Sequence, residues 1–294
     1  MIPESWNVAD SRPRVLVFDS GVGGLSIAGA IDEVLGDWQL LYLADNAFFP
    51  YGDQPEEQVI RRCADLVAAA VERFPVDFIV IGCNTASTVV LPTLRARFEC
   101  PVIGVVPAIK PAAALTRNHR IGLLATPATV RRPYLDKLIQ EFAGDAQITR
   151  IGSTELVRLA ENWMQTQHIG VETLTAILAP FRRAEVDTVV LGCTHFPLIG
   201  HLLKPILDPD VAWVDSGHAI GRRLLQLWRE KDRHRGGTQG SGRTAALTGS
   251  GPGAEAVFMF SGRPPEGLET YLARNGWAPP ILHGGFSPAT SCVR

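Results

Sequence analysis

Residues 76–85 read VDFIVIGCNT, and the pattern returns 110 positions later as VDTVVLGCTH, residues 186–195. Five of the ten positions are identical, and most of the others exchange one apolar side chain for another. Each copy is a continuous apolar run that ends in Gly-Cys, which is typical of a parallel strand buried on both faces. A repeat this long exceeds the unit of a solenoid, so it predicts two similar domains that face each other.

Short apolar runs alternate with longer segments of helical period along the rest of the chain, which indicates βαβ units. One helix is clear after Asp53, a candidate N-cap, because apolar residues recur at helical spacing from Val59 to Phe74. The predicted fold is α/β: two similar domains with mostly parallel sheets, related by pseudo-twofold symmetry, with the functional site in the cleft between them. The predicted strands are residues 15–18, 40–43, 78–81, 102–105, 121–124, 188–191 and 212–214.

The repeat also suggests the domain boundaries. We expect residues 1–107 and 218–294 to form the first domain and residues 108–217 the second. Residues 235–253, rich in Gly, Ser and Thr, are predicted to form a long surface loop. After it we expect a short strand at 257–260 and a helix at 267–277, and no regular structure from residue 279 onward.

Composition excludes several classes of protein. The chain has 294 residues, 46% of them hydrophobic, and a formal net charge of −2, which argues against disorder and against a nucleic-acid partner. No apolar run approaches the ~20 residues of a membrane helix, and the first residues do not resemble a signal peptide. The five cysteines are an odd number, which favours reduced thiols and a cytoplasmic location.

Two of these cysteines occupy matched positions. Cys83 and Cys193 each follow the glycine that ends a strand, at the edge of the sheet where α/β proteins bind ligands. The residues after each can start a helix, whose positive end is expected to lower the pKa of a thiol. A single such cysteine is more often a small buried hydrophobe, but two in an internal repeat favour a function. Cys63 and Cys100 are predicted to be packing residues, and Cys292 to be incidental.

Two equivalent thiols on facing domains would approach one ligand from opposite sides. That arrangement suits inversion of a carbon centre, since one thiolate removes a proton and the opposite thiol donates one. Asp19, which ends the first strand, could exchange a proton with Cys83, and His195 could do the same for Cys193. A structural role is an equal alternative for each of them.

Several residues near these positions could bind a small anion. Ser20, Asn84, Thr85, Thr126 and Thr194 are hydroxyl and amide donors of the kind that bind carboxylates. The turn at residues 50–52 either closes over a ligand or is an ordinary surface turn. The Gly-rich stretch at residues 19–24 matches neither a dinucleotide nor a Walker motif, so we interpret its glycines as allowing close approach of the backbone to an anion.

These motifs resemble those of the glutamate racemases, within the aspartate/glutamate racemase superfamily. The resemblance runs from about residue 14 to residue 277 in the same order, and His195 after Cys193-Thr194 favours the glutamate enzymes over their aspartate relatives. The matching stretches are residues 17–25, 50–52, 83–86, 191–195 with Pro197, and 215–217.

The resemblance implies a cofactor-independent interconversion of L-glutamate and D-glutamate that supplies D-glutamate for peptidoglycan. Cys83 would handle the α-proton of D-glutamate and Cys193 that of L-glutamate, with Asp19 and His195 as further catalytic residues. It implies no metal, and it leaves a homodimer open. The implied substrate-binding residues are Asp19, Ser20, Tyr51, Gly52, Asn84, Thr85, Thr194 and His195, with Glu161 and Thr126 in supporting positions.

Three alternatives explain the residues less well. A pyridoxal-phosphate racemase needs a Schiff-base lysine, and Lys110, Lys137, Lys204 and Lys231 lack a convincing phosphate-loop context. A zinc module using Cys83, Cys193, His195 and Asp19 has unusual ligand spacing. A Cys-His acyl-transfer enzyme leaves the second thiol without a role. The sequence leaves open the oligomeric state, regulation and the basis for preferring glutamate over aspartate.

Overall fold

The computed structural model describes residues 6, 12–234, 256–277 and 281–288. The loop predicted at 235–253 and Cys292 lie outside these ranges. The strands are β1 Arg14–Asp19, β2 Gln39–Ala44, β3 Phe78–Ile81, β4 Val102–Gly104, β5 Arg120–Ala125, β6 Gln147–Gly152, β7 Thr188–Leu191, β8 Ala212–Val214, β9 Val257–Phe260 and β10 Ile281–His283. The helices are α1 Leu25–Leu35, α2 Glu56–Arg73, α3 Asn84–Arg97, α4 Ile109–Leu115, α5 Pro127–Val130, α6 Pro133–Phe142, α7 Thr154–Thr166, α8 Val171–Arg183, α9 Gly200–Leu203, α10 Gly217–His234 and α11 Leu268–Arg274.

The strands form two parallel sheets, which confirms the predicted α/β class. The first has the order β10-β9-β2-β1-β3-β4, and the second has the order β6-β5-β7-β8. The order β2-β1-β3-β4 of the first sheet therefore recurs as β6-β5-β7-β8 in the second. In the two sheets β3 and β7, the strands that precede the paired cysteines, occupy the same place beside β1 and β5.

The central strands are buried on both faces, which is why their sequences are continuously apolar. In β1, residues 15–18 are fully buried, and β3 and β7 are buried throughout. The predicted packing thiol Cys63 on α2 lies fully inside the core between α2 and the first sheet. Helix packing on both faces of each sheet leaves the carboxyl ends of the strands free to carry ligand-binding residues.

Edge strands and helix ends were the least accurate predictions. β6 was not predicted, because QITRIG alternates exposed and half-buried residues at the edge of its sheet. The expectation of irregular structure from residue 279 onward is wrong where β10 pairs with β9. α2 begins after Pro55, and Asp53 does not cap it; the Asp53 carboxylate binds Thr154 and Arg158 on α7 instead. The predicted strand at 257–260 is confirmed, and the helix after it is α11.

Each sheet draws its strands from separate parts of the chain. All four strands of the second sheet fall within residues 108–217, and the strands of the first lie on either side of that range. The boundaries themselves and the pseudo-twofold relation remain predictions. Within the described ranges, no helix is long and apolar enough to cross a membrane.

Candidate active site

The two sheets bring their strand ends to one place. Cys83 follows β3 of the first sheet, and Cys193 and Thr126 follow β7 and β5 of the second. All three line the same small cavity. In both sheets the cysteine follows the strand at the point where the strand order reverses, the position at which parallel α/β sheets bind ligands.

The cavity is narrow in this structure. Its free volume is about 10 Å³, room for roughly one water molecule. The sequence singled out all the lining residues except Val157. The lining consists of Ser20, Pro50, Tyr51, Gly52, Cys83, Asn84, Thr85, Thr126, Val157, Cys193, Thr194 and His195.

Cys83 lies in a buried, negatively charged environment. It immediately precedes α3, and its Sγ is 3.9 Å from Ser20 Oγ. Burial, followed by the nearby Asp19 carboxylate, raises the pKa of the Cys83 thiol well above its usual range. The expectation that the helix start lowers this pKa is wrong, because desolvation outweighs the helix dipole. In the unliganded site Cys83 is therefore a neutral thiol.

Asp19 lies just outside the cavity, where it contacts two of the lining residues. It accepts hydrogen bonds from Thr194 Oγ1 at 2.8 Å, Ser20 Oγ at 3.3 Å and the backbone N–H of Gly21 at 3.0 Å. Burial raises the pKa of Asp19 to about 6, although His195 and the hydrogen bonds from Thr194 and Gly21 oppose the rise. Asp19 therefore changes protonation state close to physiological pH, as a proton-exchanging carboxyl requires.

Cys193 faces an imidazole instead of a carboxylate. His195 Nδ1 is 3.8 Å from Cys193 Sγ, and His195 Nε2 is 2.6 Å from Glu161 Oε2. Burial lowers the pKa of His195, but the contacts with Cys193 and Glu161 outweigh it and hold the pKa well above its usual value. His195 is therefore cationic at neutral pH. A helix does start after Cys193, but as a short 3₁₀ helix at Phe196–Ile199 that continues into α9.

The loop that follows β1 of the first sheet holds the Glu161 carboxylate in place. Its Oε2 accepts a hydrogen bond from the backbone N–H of Val22 at 2.9 Å, in addition to the one from His195. α7, which carries Glu161, begins at a cap in which Ser153 Oγ accepts from the backbone N–H of Leu156 at 3.0 Å. The position assigned by resemblance is thus next to the imidazole, on the side away from the thiol.

The Gly-rich loop makes room for side chains of the second sheet. A Cβ on Gly21 would overlap the carboxylate of Glu161, and a Cβ on Gly23 would overlap His195 and Thr194. This corrects the interpretation that these glycines let the backbone approach an anion. Their missing side chains leave space for His195 and Glu161 instead. The other Asp-Ser-Gly stretch, at residues 215–217, forms the turn before α10 and does not line the cavity.

Some polar side chains of the cavity lining have hydrogen-bond partners within the described part of the protein, and one does not. Thr85 Oγ1 and Thr126 Oγ1 are 3.1 Å apart, and Thr126 also caps α5. The side-chain oxygen of Asn84 is buried without a hydrogen-bond partner in the described residues, so it is free to accept from a ligand. The hydroxyl of Tyr51 donates to Asp45 at 2.9 Å, so this turn presents its backbone and ring to the cavity, not its hydroxyl.

Sequence reasoning missed two neighbours of the site. Val157 lies one helical turn before Glu161 on α7 and lines the cavity, and the spacing of four residues was the signal for it. The ring of Phe49 lies 5.5 Å from the ring of His195. Nothing in the local sequence marks Phe49, because the contact joins segments more than a hundred residues apart.

A larger cavity elsewhere carries no comparable chemistry. It has a volume of about 370 Å³ and lies at the amino ends of β5 and β7, beside Arg117, Arg182 and Asp187. Neither a thiol nor an imidazole is among its lining residues. Of these two cavities, only the small one at the opposite end of the sheet is lined by thiols and an imidazole.

The arrangement at the small cavity is a matched pair of acid–base groups. Each sheet contributes one thiol, and each thiol lies near a group that can exchange protons near neutral pH, a carboxyl for Cys83 and an imidazole for Cys193. No lysine lines this cavity, and no cluster of three metal-ligating side chains occurs in the described ranges. The geometry suits proton transfer to opposite faces of a small molecule.

The known proteins that this chain resembles in sequence and structure are racemases. Residues 24–223 match the family model described as Asp/Glu/hydantoin racemase. A glutamate racemase of Pectobacterium atrosepticum is 53% identical over 219 residues, 74% of this chain and 77% of that protein. The Escherichia coli glutamate racemase structure, which holds L-glutamate and the activator UDP-MurNAc-Ala, is 42% identical with a TM-score of 0.80, over 93% of this chain and 98% of that one. The RacE1 glutamate racemase of Bacillus anthracis is 26% identical with a TM-score of 0.76, over 95% and 98%.

Proposed function

Because the chain belongs to the Asp/Glu/hydantoin racemase family and is an amino-acid racemase, we propose that it interconverts L-glutamate and D-glutamate without a cofactor, by proton transfer between the α-carbon and two thiols. The observation that carries the proposal is that Cys83 and Cys193, from equivalent strands of two sheets, line one cavity. The substrate is inferred from the relatives, several of which are glutamate racemases at about half identity.

In the direction from L- to D-glutamate, Cys193 is the base. A protonated imidazole stabilises a neighbouring thiolate, and cationic His195 lies 3.8 Å from Cys193 Sγ. The thiolate takes the α-proton from one face and leaves a carbanion. Cys83, a neutral thiol, then gives its proton to the opposite face, which forms the D enantiomer and leaves a Cys83 thiolate.

In the reverse direction the roles are exchanged. The Cys83 thiolate removes the α-proton of D-glutamate, and the Cys193 thiol donates to the other face. Asp19, with a pKa of about 6, is the group that accepts the proton of Cys83 to prepare it. The scheme balances, because each turnover moves one proton onto one sulfur and one proton off the other.

The carbanion must be stabilised by fixed donors. Asn84, Thr85, Thr194 and Ser20 place amide and hydroxyl groups around the cavity, and we assign the substrate's carboxylates to them together with the Tyr51–Gly52 backbone. The unpartnered oxygen of Asn84 suits the substrate ammonium group. The absence of a lysine in the lining disfavours a pyridoxal-phosphate racemase, which needs a Schiff base.

Substrate entry requires the cleft to open. A free volume of about 10 Å³ is too small for an amino acid, so the lining residues must move apart to admit one and close again around it. Closure then excludes water from the reacting centre and strengthens the electrostatic interactions there. The expected cytoplasmic location and a supply of D-glutamate to peptidoglycan synthesis are part of the proposal.

The test is direct. Purified protein is incubated with L-glutamate, with no added cofactor and with a chelator present, and optical rotation is followed; we expect it to decay to zero as D-glutamate forms. A parallel incubation with L-aspartate tests the substrate preference. Rotation that stays constant with L-glutamate would contradict the proposal, and faster decay with L-aspartate would reassign the substrate.

A further inference from the structure

Behind the cavity, one buried carboxylate joins four segments of the first domain. Asp45, which follows β2, is fully buried. It accepts hydrogen bonds from Arg62 on α2 at 2.7 and 2.6 Å, from the hydroxyl of Tyr51 at 2.9 Å and from Ser261 Oγ at 2.6 Å. A carboxylate that accepts from two neutral hydroxyls and a guanidinium holds all three in fixed places.

These bonds pin the loop of residues 46–53, which we call the site loop. Tyr51 and Gly52 of the site loop line the cavity, whereas Asp45 does not touch it. Ser261 Oγ accepts from the backbone N–H of Ala47 at 3.0 Å, and the Arg62 guanidinium lies 4.9 Å from the centre of the Phe48 ring. Asp45 and its partners therefore contact the site loop at several points along its length.

The site loop in turn packs against the second domain's half of the site. The Phe49 ring lies 5.5 Å from the His195 ring, and a Cβ on Gly52 would lie 3.3 Å from Thr126 Cβ. A shift of the loop would therefore change its contact with the imidazole that faces Cys193. Misplacements of about 1 Å are known to cost large factors in rate.

We propose that Asp45 is a positioning residue for racemisation: its carboxylate, clamped by Arg62, fixes the Tyr51–Gly52 turn against the cavity and so sets the affinity for substrate. This inference rests on the proposed function. Asn at this position keeps the shape but has one acceptor oxygen instead of two, and its NH₂ group faces donors. At least one of Arg62, Tyr51 and Ser261 then loses its acceptor.

The chain offers a matched control in Asp77. This carboxylate is also buried, binds Arg14 and Lys231, and lies before β3 at the opposite end of the same sheet. Asp77→Asn breaks a buried ion pair of the same kind, so it loses stability for the same physical reason. It lies far from the cavity lining and should leave substrate affinity unchanged.

The experiment measures kcat and KM for both enantiomers in the wild type, Asp45→Asn and Asp77→Asn, at a temperature where unfolding curves show all three folded. We expect Asp45→Asn to raise KM about tenfold or more, with a smaller change in kcat, and Asp77→Asn to change KM less than about twofold. A wild-type KM in Asp45→Asn, or an equal rise in both variants, overturns the inference. A wild type that does not racemise glutamate overturns the proposed function instead.

If Asp45→Asn does not fold, the less disruptive variant Tyr51→Phe tests the inference. Tyr51→Phe removes only the hydroxyl that bonds to Asp45 and keeps the ring. We expect it to raise KM about threefold, as loss of one buried hydrogen bond allows. An unchanged KM in Tyr51→Phe contradicts positioning through the Tyr51 hydroxyl.

Discussion

Thr194 donates its hydroxyl hydrogen to Asp19 across 2.8 Å, and this bond joins the two halves of the site. Asp19 ends β1 of the first sheet, whereas Thr194 directly follows Cys193 of the second. The carboxyl that serves Cys83 is thus held by the neighbour of the other thiol. Because His195 also lowers the pKa of Asp19, the protonation states on the two sides of the cavity are coupled.

The stability of Asp19→Asn relative to the wild type should depend on pH. The folded pKa of Asp19 is about 6 and lies above its unfolded value of 3.8, so the cost of burying its charge is absent below pH 3.8 and complete above pH 6. The stability of the variant relative to the wild type should therefore rise by up to about 3 kcal/mol between pH 4 and pH 7. Urea unfolding at several pH values measures this difference; one that does not change with pH would contradict the buried, titrating carboxyl.

Glu161→Gln should act through the charge on His195. Removal of the carboxylate takes away one of the contacts that raise the pKa of His195, so the imidazole should lose its proton at a lower pH and the alkaline limb of activity should move down. The kcat from L-glutamate, which needs the Cys193 thiolate, should fall more than the kcat from D-glutamate. The two enantiomers have equal free energies in water, so kcat/KM must stay equal in both directions and the KM values must compensate.

The matched control for this variant is Glu155→Gln. Glu155 lies on the same helix, α7, but is exposed and away from the imidazole. Its pH profile should coincide with that of the wild type. Equal losses of kcat in both directions for Glu161→Gln, with an unmoved pH profile, would assign Glu161 a structural role only.

Gly23→Ala should damage the site without unfolding the protein. The added methyl group would overlap His195 and Thr194, both buried and held by hydrogen bonds, so the imidazole must move and kcat should drop by about tenfold or more. Gly29→Ala on α1 is the control, because a Cβ there meets nothing within 4 Å. Since alanine favours a helix interior, Gly29→Ala should gain about 0.5–1 kcal/mol of stability and keep full activity. Equal activities of the two variants would contradict the tight fit.

The buried strands and the thiol positions could be predicted from sequence because their signals are local. A strand that is apolar on both faces is recognisable by itself, and the repeat of Gly-Cys after β3 and β7 marks two equivalent strand ends. β6 carries no such signal, since only its pairing with β5 makes QITRIG a strand. The residues of β6 form a strand because they pair with β5, although their composition does not predict one.

Site details that depend on distant contacts were beyond the sequence. The pKa of Cys83 follows from complete burial and from Asp19, 64 residues away, and these outweigh the helix start that the local sequence shows. The glycines of residues 21–24 suggest close approach, but only the fold shows that Gly21 approaches Glu161 and Gly23 approaches His195. Asp45 lies after an ordinary strand, and its role depends on Tyr51, Arg62 and Ser261 converging on it.

The central claim is that two thiols act on opposite faces of one carbon, and hydrogen exchange in deuterium oxide tests it most directly. L-glutamate is racemised to a small extent in D₂O, and the α-position of the recovered L-glutamate and of the new D-glutamate is examined by proton NMR. We predict deuterium in the product and protium in the recovered substrate, with turnover nearly abolished in both Cys83→Ser and Cys193→Ser. Deuterium at the same level in substrate and product, or a serine variant with wild-type rates, would contradict the two-thiol mechanism.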